Sequence, residues 1–213
     1  MRSKNDFIDF MAEAGVLTFG DFTTKSGRKT PYFVNTGGFK TGKHISLLGD
    51  YYADAVVQSG VSFDALYGPA YKGITLAAAT AASLYRNHYM DVPYFFNRKE
   101  AKDHGEGGSL IGYKPKDGDK LVIIEDVVTA GTAVRESLAL LSAVADVKVV
   151  ALFVSVDRME RGTGERSTLD ELRQEHGISV YPIITARDII GSFPHGDERI
   201  TKMEAYLTEY GAK

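Results

Sequence analysis

The segment that most constrains the fold is a short aliphatic run followed at once by two carboxylates. It reads Leu-Val-Ile-Ile over residues 121–124, then Glu125 and Asp126, then Val-Val-Thr-Ala-Gly-Thr up to Thr132. Four aliphatic residues bounded by polar ones are too few for a helix, so they predict a strand buried on both faces of a parallel sheet. Because ligands of such sheets bind beyond the carboxyl ends of the strands, the segment predicts an α/β fold with a site after Ile124.

The residues after this strand indicate a sugar-phosphate site. The turn over residues 129–132 carries little side-chain bulk, so its backbone N–H groups can close on a phosphate where a helix begins, near Ala133. Glu125 and Asp126 would repel that phosphate, so we expect them to face ribose hydroxyls, a bound Mg²⁺ or both. The alternative is an ordinary helix cap, with a threonine of the turn as the N-cap residue.

Composition narrows the class of protein. The 213 residues include 25 basic and 28 acidic side chains, a net charge of −3, so no global field would attract nucleic acid. Cysteine is absent, which excludes disulfides and thiolate-bound metals. No stretch approaches the roughly 18 apolar residues of a membrane span. We therefore predict a cytoplasmic protein that binds neither nucleic acid nor membranes, folded as a single domain over residues 1–213.

The remaining periodicity predicts alternating helices and strands, which favours a mainly parallel sheet with helices on both faces. Helices are predicted over residues 5–13, 44–58, 73–86, 134–144, 169–176 and 198–210. Strands are predicted over residues 65–67, 94–97, 121–124, 147–155 and 180–184. Extended segments near Phe22 and over residues 32–34 flank a basic tip at residues 25–29, which predicts a small N-terminal hairpin.

Residues 97–108 form a charged segment with three glycines and one apolar residue. Such a segment cannot support a core, so we expect a mobile loop. It follows a strand predicted to end at the same sheet edge as Glu125 and Asp126. The basic side chains of this lid segment suit an anionic polyphosphate, and a closed lid would exclude water. The alternative is a solvated linker whose charges carry no function.

Two further glycine-rich stretches resemble phosphate loops to different degrees. The turn at residues 68–73 places Lys72 at a predicted helix start, where a cation opposes the helix dipole, so pyrophosphate binding is the favoured interpretation. Residues 37–44 nearly match the phosphate loop of nucleoside triphosphatases. That match fails at His44, because the motif needs a Ser or Thr hydroxyl for Mg²⁺ there.

Four blocks, residues 22–33, 67–74, 96–108 and 125–137, together resemble the orotate phosphoribosyltransferases, which are type I phosphoribosyltransferases. A fifth block, residues 155–162, reads Ser-Val-Asp-Arg-Met-Glu-Arg-Gly and is also similar. The likeness covers nearly the whole chain. It implies the type I fold, with a small hood subdomain built from about the first 40 residues and the C-terminal part.

The resemblance also implies an activity. Members of this family transfer the phosphoribosyl group of 5-phosphoribosyl pyrophosphate (PRPP) to orotate, giving orotidine 5′-monophosphate and pyrophosphate in UMP biosynthesis. It implies a requirement for Mg²⁺, which is held mainly through PRPP with no direct protein ligand. A homodimer is expected, with lid residues serving the partner subunit's site.

The residues implied by the resemblance fall into three groups. The PRPP-binding residues are Lys25, Tyr71, Lys72, Arg98, Lys99, Lys102, His104, Glu125, Asp126, Val127, Val128, Thr129, Ala130, Gly131, Thr132 and Ala133. The orotate-binding residues are Lys25, Phe33, Val34, Thr129 and Arg158. The catalytic residues are Lys72, Lys102 and Asp126. Arg158 would hold the orotate carboxylate, and loss of Lys102 is expected to slow the reaction most.

Two positions depart from the family pattern. Val34 replaces a second aromatic residue of the base pocket, and Glu125 stands where many relatives have Asp. The first change could weaken base stacking, whereas the second keeps the charge for ribose binding. Two alternatives share the motif at Glu125: a purine phosphoribosyltransferase, which has no need of Arg158, and a PRPP-sensing regulator, which would carry a basic face for nucleic acid.

Overall fold

The computed structural model describes residues 2–24, 27–99, 109–162 and 164–213. Lys25, Lys102 and His104, all predicted to bind PRPP, lie outside these ranges. The helices are α1 (Lys4–Glu13), α2 (Gly42–Ser59), α3 (Lys72–His88), α4 (Thr132–Val144), α5 (Thr168–His176), α6 (Ala186–Gly191) and α7 (Glu198–Tyr210). The strands are β1 (Leu17–Thr23), β2 (Lys29–Val34), β3 (Ala65–Gly68), β4 (Tyr94–Asn97), β5 (Leu110–Gly112), β6 (Lys120–Ile124), β7 (Lys148–Asp157) and β8 (Ser179–Thr185).

A six-stranded sheet of order β5-β4-β3-β6-β7-β8 forms the centre of the protein. All neighbouring strands are parallel except β4 and β5, which pair antiparallel at the edge. The predicted mainly parallel α/β fold is confirmed. The pattern did not predict β5 or α6, because three and six residues are too few for a hydrophobic period to emerge.

The strand β6 is buried on both faces, as its aliphatic run predicts. Val122 and Ile124 belong to the core on one face, and Leu121 and Ile123 to the core on the other. Apolar residues of α2 and α3 pack in the first core, and those of α4 and α5 pack in the second. The sheet therefore lies between two helical layers.

The strand order reverses between β3 and β6. These strands are parallel neighbours, yet α3 follows β3 onto one face and α4 follows β6 onto the opposite face. The two connections must diverge at the carboxyl ends of the strands, so a crevice opens between them. This reversal places the ligand site.

A second, two-stranded sheet is formed by β1 and β2, which pair antiparallel. The helix α7 packs against β2, with the Tyr32 and Tyr206 rings 6.1 Å apart. The chain after α7 stays at this end, because Gly211 forms a β-bridge with Glu160. We call β1, β2, α7 and residues 158–162 the hood.

The N-terminal helix α1 begins and ends as its sequence predicts. Ser3 and Asp6 form a capping box at its start, and Gly15 adopts a φ of 67° just after its end. Phe7, Ile8, Phe10 and Met11 form its buried face, as in an amphipathic helix. Across the described part of the chain, no helix has the length and apolar character needed to span a membrane.

Candidate active site

A pocket of about 350 Å³ opens at the carboxyl ends of β3 and β6, at the reversal of strand order. Its walls come from residues 70–72 after β3 and 125–134 after β6. The predicted PRPP-binding residues that line it are Tyr71, Lys72, Glu125, Asp126, Val127, Val128, Thr129, Ala130, Gly131, Thr132 and Ala133. The structure thus brings together two segments that the sequence separates by about fifty residues.

Side chains from α2, α4, α5 and β7 donate hydrogen bonds to backbone carbonyls of the loop after β6. The hydroxyls of Tyr52, Ser155 and Thr168 donate to the carbonyls of Glu125, Asp126 and Thr129 at 2.6, 2.6 and 2.7 Å, and Arg135 Nη1 donates to that of Ala130 at 3.0 Å. A trans peptide points its N–H away from its C=O. Fixing the Thr129 and Ala130 carbonyls therefore directs the amides of Ala130 and Gly131 away from these carbonyl partners.

The N-cap residue of α4 is Gly131, so the threonine-cap alternative is wrong. Gly131 has no side chain to accept the first amides of the helix, which stay available to a ligand. Its φ is 74°, and a Cβ there would lie 2.7 Å from both Arg135 Nη1 and Thr168 Cγ2. The backbone conformation therefore favours glycine, and a side chain here would displace the ends of Arg135 and Thr168.

Lys72 and Asp126 form an ion pair across the pocket. Lys72 Nζ lies 2.7 Å from Asp126 Oδ2, and the Thr36 hydroxyl donates to the same oxygen at 2.6 Å. The Asp126 side chain is 14% exposed, whereas that of Lys72 is 59% exposed. The lysine thus borders solvent while the acid is held in the wall.

The two adjacent acids have opposite pKa shifts. Burial raises the pKa of the Glu125 carboxyl to about 7, because only its bond from the Asp126 amide and the distant charge of Lys72 oppose the loss of water. Burial acts on Asp126 in the same direction, but the hydrogen bonds from Lys72 and Thr36 outweigh it and lower its pKa. Asp126 is the more strongly anionic of the pair.

The turn after β3 is shaped by close backbone contacts. A Cβ on Gly68 would lie 2.1 Å from the Gly73 carbonyl oxygen, so only glycine allows this approach. The Ala70–Tyr71 peptide is cis. Asn97, at the end of β4, accepts the Ala70 amide at 2.9 Å and so joins this turn to the start of the lid segment.

The described part of the lid segment lies beside this turn. Lys99 Nζ is 5.0 Å from the centre of the Tyr71 ring, and the Arg98 amide donates to the Ser109 carbonyl at 2.7 Å. Lys99 therefore lies next to Tyr71, a residue of the pocket wall, whereas the contact of Arg98 is a backbone bond to the residue just before β5.

Of the residues predicted to bind the base, Phe33, Val34 and Arg158 belong to the hood and do not line this pocket, whereas Thr129 does. Phe33 is 40% exposed and its ring lies 5.6 Å from that of Phe22, whereas Val34 is partly buried against the core. Arg158 follows β7 and lies over the Tyr32 ring, 4.3 Å from its centre. The chain connects these regions, since Thr36 bonds to Asp126 two residues after β2 ends.

Sequence reasoning missed the residues that shape the loop from outside. Thr36, Tyr52, Ser155 and Thr168 carry no local signal, because each acts through a bond to a chain segment 29 to 90 residues away. Arg135 lies within the block at residues 125–137, but the sequence did not indicate that it would bond to the Ala130 carbonyl. Only a packed structure could reveal these partners.

Comparisons with known proteins agree with this geometry. A family model of the phosphoribosyl transferase domain matches residues 42–181. An orotate phosphoribosyltransferase of Lachnoclostridium phytofermentans is 49% identical over 220 residues, covering 99% of this chain and 98% of that protein. This chain belongs to the orotate phosphoribosyltransferase family.

Other members of the orotate phosphoribosyltransferase family agree with this assignment. The protein named so from Cronobacter sakazakii is 48% identical over 211 residues, with 98% of each chain covered. The crystal structure of the Francisella tularensis orotate phosphoribosyltransferase superposes with a TM-score of 0.89 at 37% identity, covering 97% of this chain and all of that one. The prediction of family and of enzyme class is confirmed.

Proposed function

We propose that the protein catalyses phosphoribosyl transfer from PRPP to orotate, giving orotidine 5′-monophosphate and pyrophosphate in UMP biosynthesis. The observation that carries the proposal is the pocket at the strand reversal, where an amide-lined turn, two acids and one exposed lysine share a single crevice. This set matches the three parts of PRPP: a 5′-phosphate, ribose hydroxyls and a pyrophosphate. The family membership of the chain supports orotate as the acceptor.

We assign the 5′-phosphate to the turn at residues 129–132. The amides freed by the fixed carbonyls and the uncapped start of α4 supply hydrogen-bond donors and a positive dipole end. Glu125 and Asp126, at the end of the same strand, then face the ribose hydroxyls. The buried acid Asp126 is also well placed to stabilise positive charge that develops on the ribose ring as the bond to pyrophosphate breaks.

Lys72 exchanges partners when PRPP binds. In the free protein its ammonium group neutralises Asp126, but its side chain is mostly exposed. Because the ammonium group borders water, a pyrophosphate can reach it, and the Thr36 hydroxyl still donates to Asp126 when the lysine moves. That exchange frees Asp126 for the ribose and puts a cation on the leaving group. No covalent nucleophile from the protein is required.

The hood supplies the base site. Arg158 offers a guanidinium group to the orotate carboxylate, and the exposed Phe33 ring offers an apolar surface to the planar base. Val34 and Thr129 complete the proposed contacts, with Lys25 reaching both substrates. Closure between the hood and the sheet edge would bring the base nitrogen to the anomeric carbon, where a C–N bond forms as the C–O bond to pyrophosphate breaks.

The residues present fit a Mg²⁺ ion that is carried by PRPP. Within the described ranges no three His, Cys, Asp or Glu side chains are grouped as metal ligands. Glu125 and Asp126 could contact the ion through the ribose hydroxyls that it shares. When bound, Mg²⁺ neutralises charge on the pyrophosphate. Chelation should abolish turnover, and added Mg²⁺ should restore it.

We further propose a homodimer that pairs through the end of α3 and the start of β4. Exposed apolar side chains follow one another there, with Tyr85 63%, Tyr89 91%, Met90 37% and Tyr94 40% exposed. Such a patch is costly on a monomer. A second copy would cover it close to β4, the strand that precedes the lid segment in sequence.

Mixing two inactive variants tests this sharing. Lys102→Ala removes the lid lysine, and Asp126→Asn disables the sheet-edge site. If sites are composite, exchanged dimers contain one site with both groups intact, and activity returns. Mixing Lys102→Ala with itself is the control. Failure to recover activity after proven subunit exchange would contradict shared sites.

The activity itself is tested by the fall in orotate ultraviolet absorbance when protein is mixed with orotate, PRPP and Mg²⁺. Loss of signal with wild type and not with Lys102→Ala is expected. An unchanged signal, while PRPP still binds in calorimetry, would contradict the assignment of orotate. Purine bases would then be the next acceptors to test.

A further inference from the structure

We propose that Glu160 is a positioning residue for orotate, held by Tyr206 of α7, and that it acts by fixing the orientation of Arg158. The inference rests on the proposed function, because it takes Arg158 to bind the orotate carboxylate. It adds a residue pair and gives the C-terminal helix a role in substrate affinity.

The Arg158 guanidinium is held on one edge and one face. Its Nε and Nη2 atoms both lie 2.6 Å from Glu160 Oε1, and Nη2 also donates to the Thr30 hydroxyl at 3.2 Å. The Tyr32 ring covers one face, 4.3 Å from Cζ. The Arg158 side chain is 15% exposed, so water competes weakly with these contacts.

The remaining corner of the guanidinium is the one that can meet a ligand. The contacts of Arg158 with Glu160 and Thr30 use Nε and Nη2, not Nη1. A carboxylate needs two parallel N–H donors for a bidentate contact, and Nε with Nη2 is already taken by Glu160. Orotate must therefore approach the Nη1 side. The direction of that side is set by Glu160.

Glu160 is itself fixed from two further directions. The Tyr206 hydroxyl donates to Oε1 at 2.7 Å, so this one oxygen receives both Arg158 and the phenol. Arg28 Nη1, from the hairpin, lies 3.8 Å from the other oxygen. The backbone of Glu160 pairs with Gly211. Three hood segments thus converge on one carboxylate.

The cluster has the features of a positioning device rather than of a surface ion pair. Both charged partners are mostly buried, so rotation of Arg158 away from Glu160 would leave a desolvated carboxylate with too few partners. None of these residues lines the pocket at the sheet edge. A change at Glu160 or Tyr206 should therefore affect orotate and leave PRPP binding unaltered.

The test is steady-state kinetics with orotate and PRPP varied separately. We expect Glu160→Gln to raise the KM for orotate about tenfold, the effect of losing one hydrogen bond to a charged group. We expect Tyr206→Phe to raise it about threefold, because the charge remains and only the donor is lost. The KM for PRPP should stay constant in both variants.

Glu165→Gln is the matched control. It makes the same chemical change five residues further along, at an exposed ion pair with Lys213, and should leave both KM values unchanged. In an Arg158→Ala background, Glu160→Gln should add no further loss, because its effect is routed through the arginine. Thermal unfolding of each variant shows whether a change in KM comes from weaker binding or from loss of folded protein.

Several results would overturn the inference. A lowered orotate KM in Glu160→Gln would mean that the glutamate competes with orotate for Arg158. Equal changes in both KM values, or unchanged values in both Glu160→Gln and Tyr206→Phe, would remove the positioning role. If Glu160→Gln fails to fold, Tyr206→Phe decides. A wild-type protein that does not consume orotate would instead refute the proposed function.

Discussion

The sheet edge and the hood build their parts of the site in different ways. At the sheet edge, one continuous segment, residues 125–134, supplies most of the pocket wall, and its backbone amides are the phosphate donors that we propose. In the hood, the contacts around Arg158 come from Thr30 and Tyr32 of β2 and from Glu160, so two segments about 130 residues apart in sequence meet there. The sheet edge is thus formed mainly by the backbone of one segment, whereas the hood is formed by side chains from separate segments.

The two regions also treat their cations differently. Lys72 and Arg158 each pair with a carboxylate at 2.6 to 2.7 Å, but their side chains are 59% and 15% exposed. The exposed Lys72 can meet an incoming anion while Thr36 keeps its hydrogen bond to Asp126, whereas Arg158 and Glu160 are both mostly buried and hold each other in place. The difference suits a lysine that moves to a leaving group and an arginine that holds a base still.

The sharpest test of the sheet edge is Asp126→Asn. The amide keeps the shape but loses the buried charge that faces the developing positive ribose. We expect kcat/KM to fall roughly 10²–10³-fold, as for loss of one electrostatic contact to a transition state. Initial rates from orotate absorbance measure this. Asp9→Asn, an exposed acid on α1, is the control, and comparable activity in both variants would remove Asp126 from the catalytic set.

The matching test of the hood is Arg158→Lys. Lysine keeps the charge but cannot present a planar fork between Tyr32 and Glu160. We expect the KM for orotate to rise about 10- to 100-fold, with little change in the KM for PRPP. Arg166→Lys, an exposed arginine nearby, should behave as wild type. A rise confined to the KM for PRPP would show that Arg158 contacts PRPP and not orotate.

The raised pKa of Glu125 predicts a pH dependence of stability that is specific to the sheet edge. Between its ordinary value of 4.5 and about 7, the folded protein keeps a proton that the unfolded chain has lost, so Glu125 lowers the free energy of unfolding as pH rises through this window. Glu125→Gln should remove this contribution, on the order of 1 kcal/mol or more.

Denaturant unfolding of wild type and Glu125→Gln at several pH values measures this difference. The two curves should approach each other at low pH and separate as pH rises, with the variant more stable. Parallel curves across the window would show that Glu125 ionises normally in the folded protein.

The smallest expected effect tests the backbone character of the turn. Gly131→Ala forces a side chain into a φ of 74° and against Arg135 and Thr168. The strain is about 1 kcal/mol, and displacement of the turn should raise the KM for PRPP several-fold without affecting orotate. Gly42→Ala, where a Cβ meets open space at the start of α2, is the control. An unchanged KM for PRPP would argue that side chains, not this turn, hold the phosphate.

The sequence predicted the sheet-edge part of the site better than the hood. The strand at residues 121–124, the small-residue turn and the start of α4 followed from local pattern, and the structure differs by only one or two residues. The resemblance predicted that Arg158 binds orotate, but it could not show that Glu160 and Thr30 already engage its Nε and Nη2 atoms. The lid residue Lys102 lies outside the described ranges, so its role stays a prediction.

By itself, the sequence determined the alternation of elements, the parallel sheet, the family and the turn at residues 129–132. These follow from short-range rules, since periodicity, steric freedom of glycine and helix termini act within a few residues. Only the tertiary structure decided which groups hold the turn, which acid takes the lower pKa and how Arg158 is oriented. Those outcomes depend on burial and on hydrogen bonds between residues such as Thr36 and Asp126, 90 positions apart, which a linear pattern does not encode.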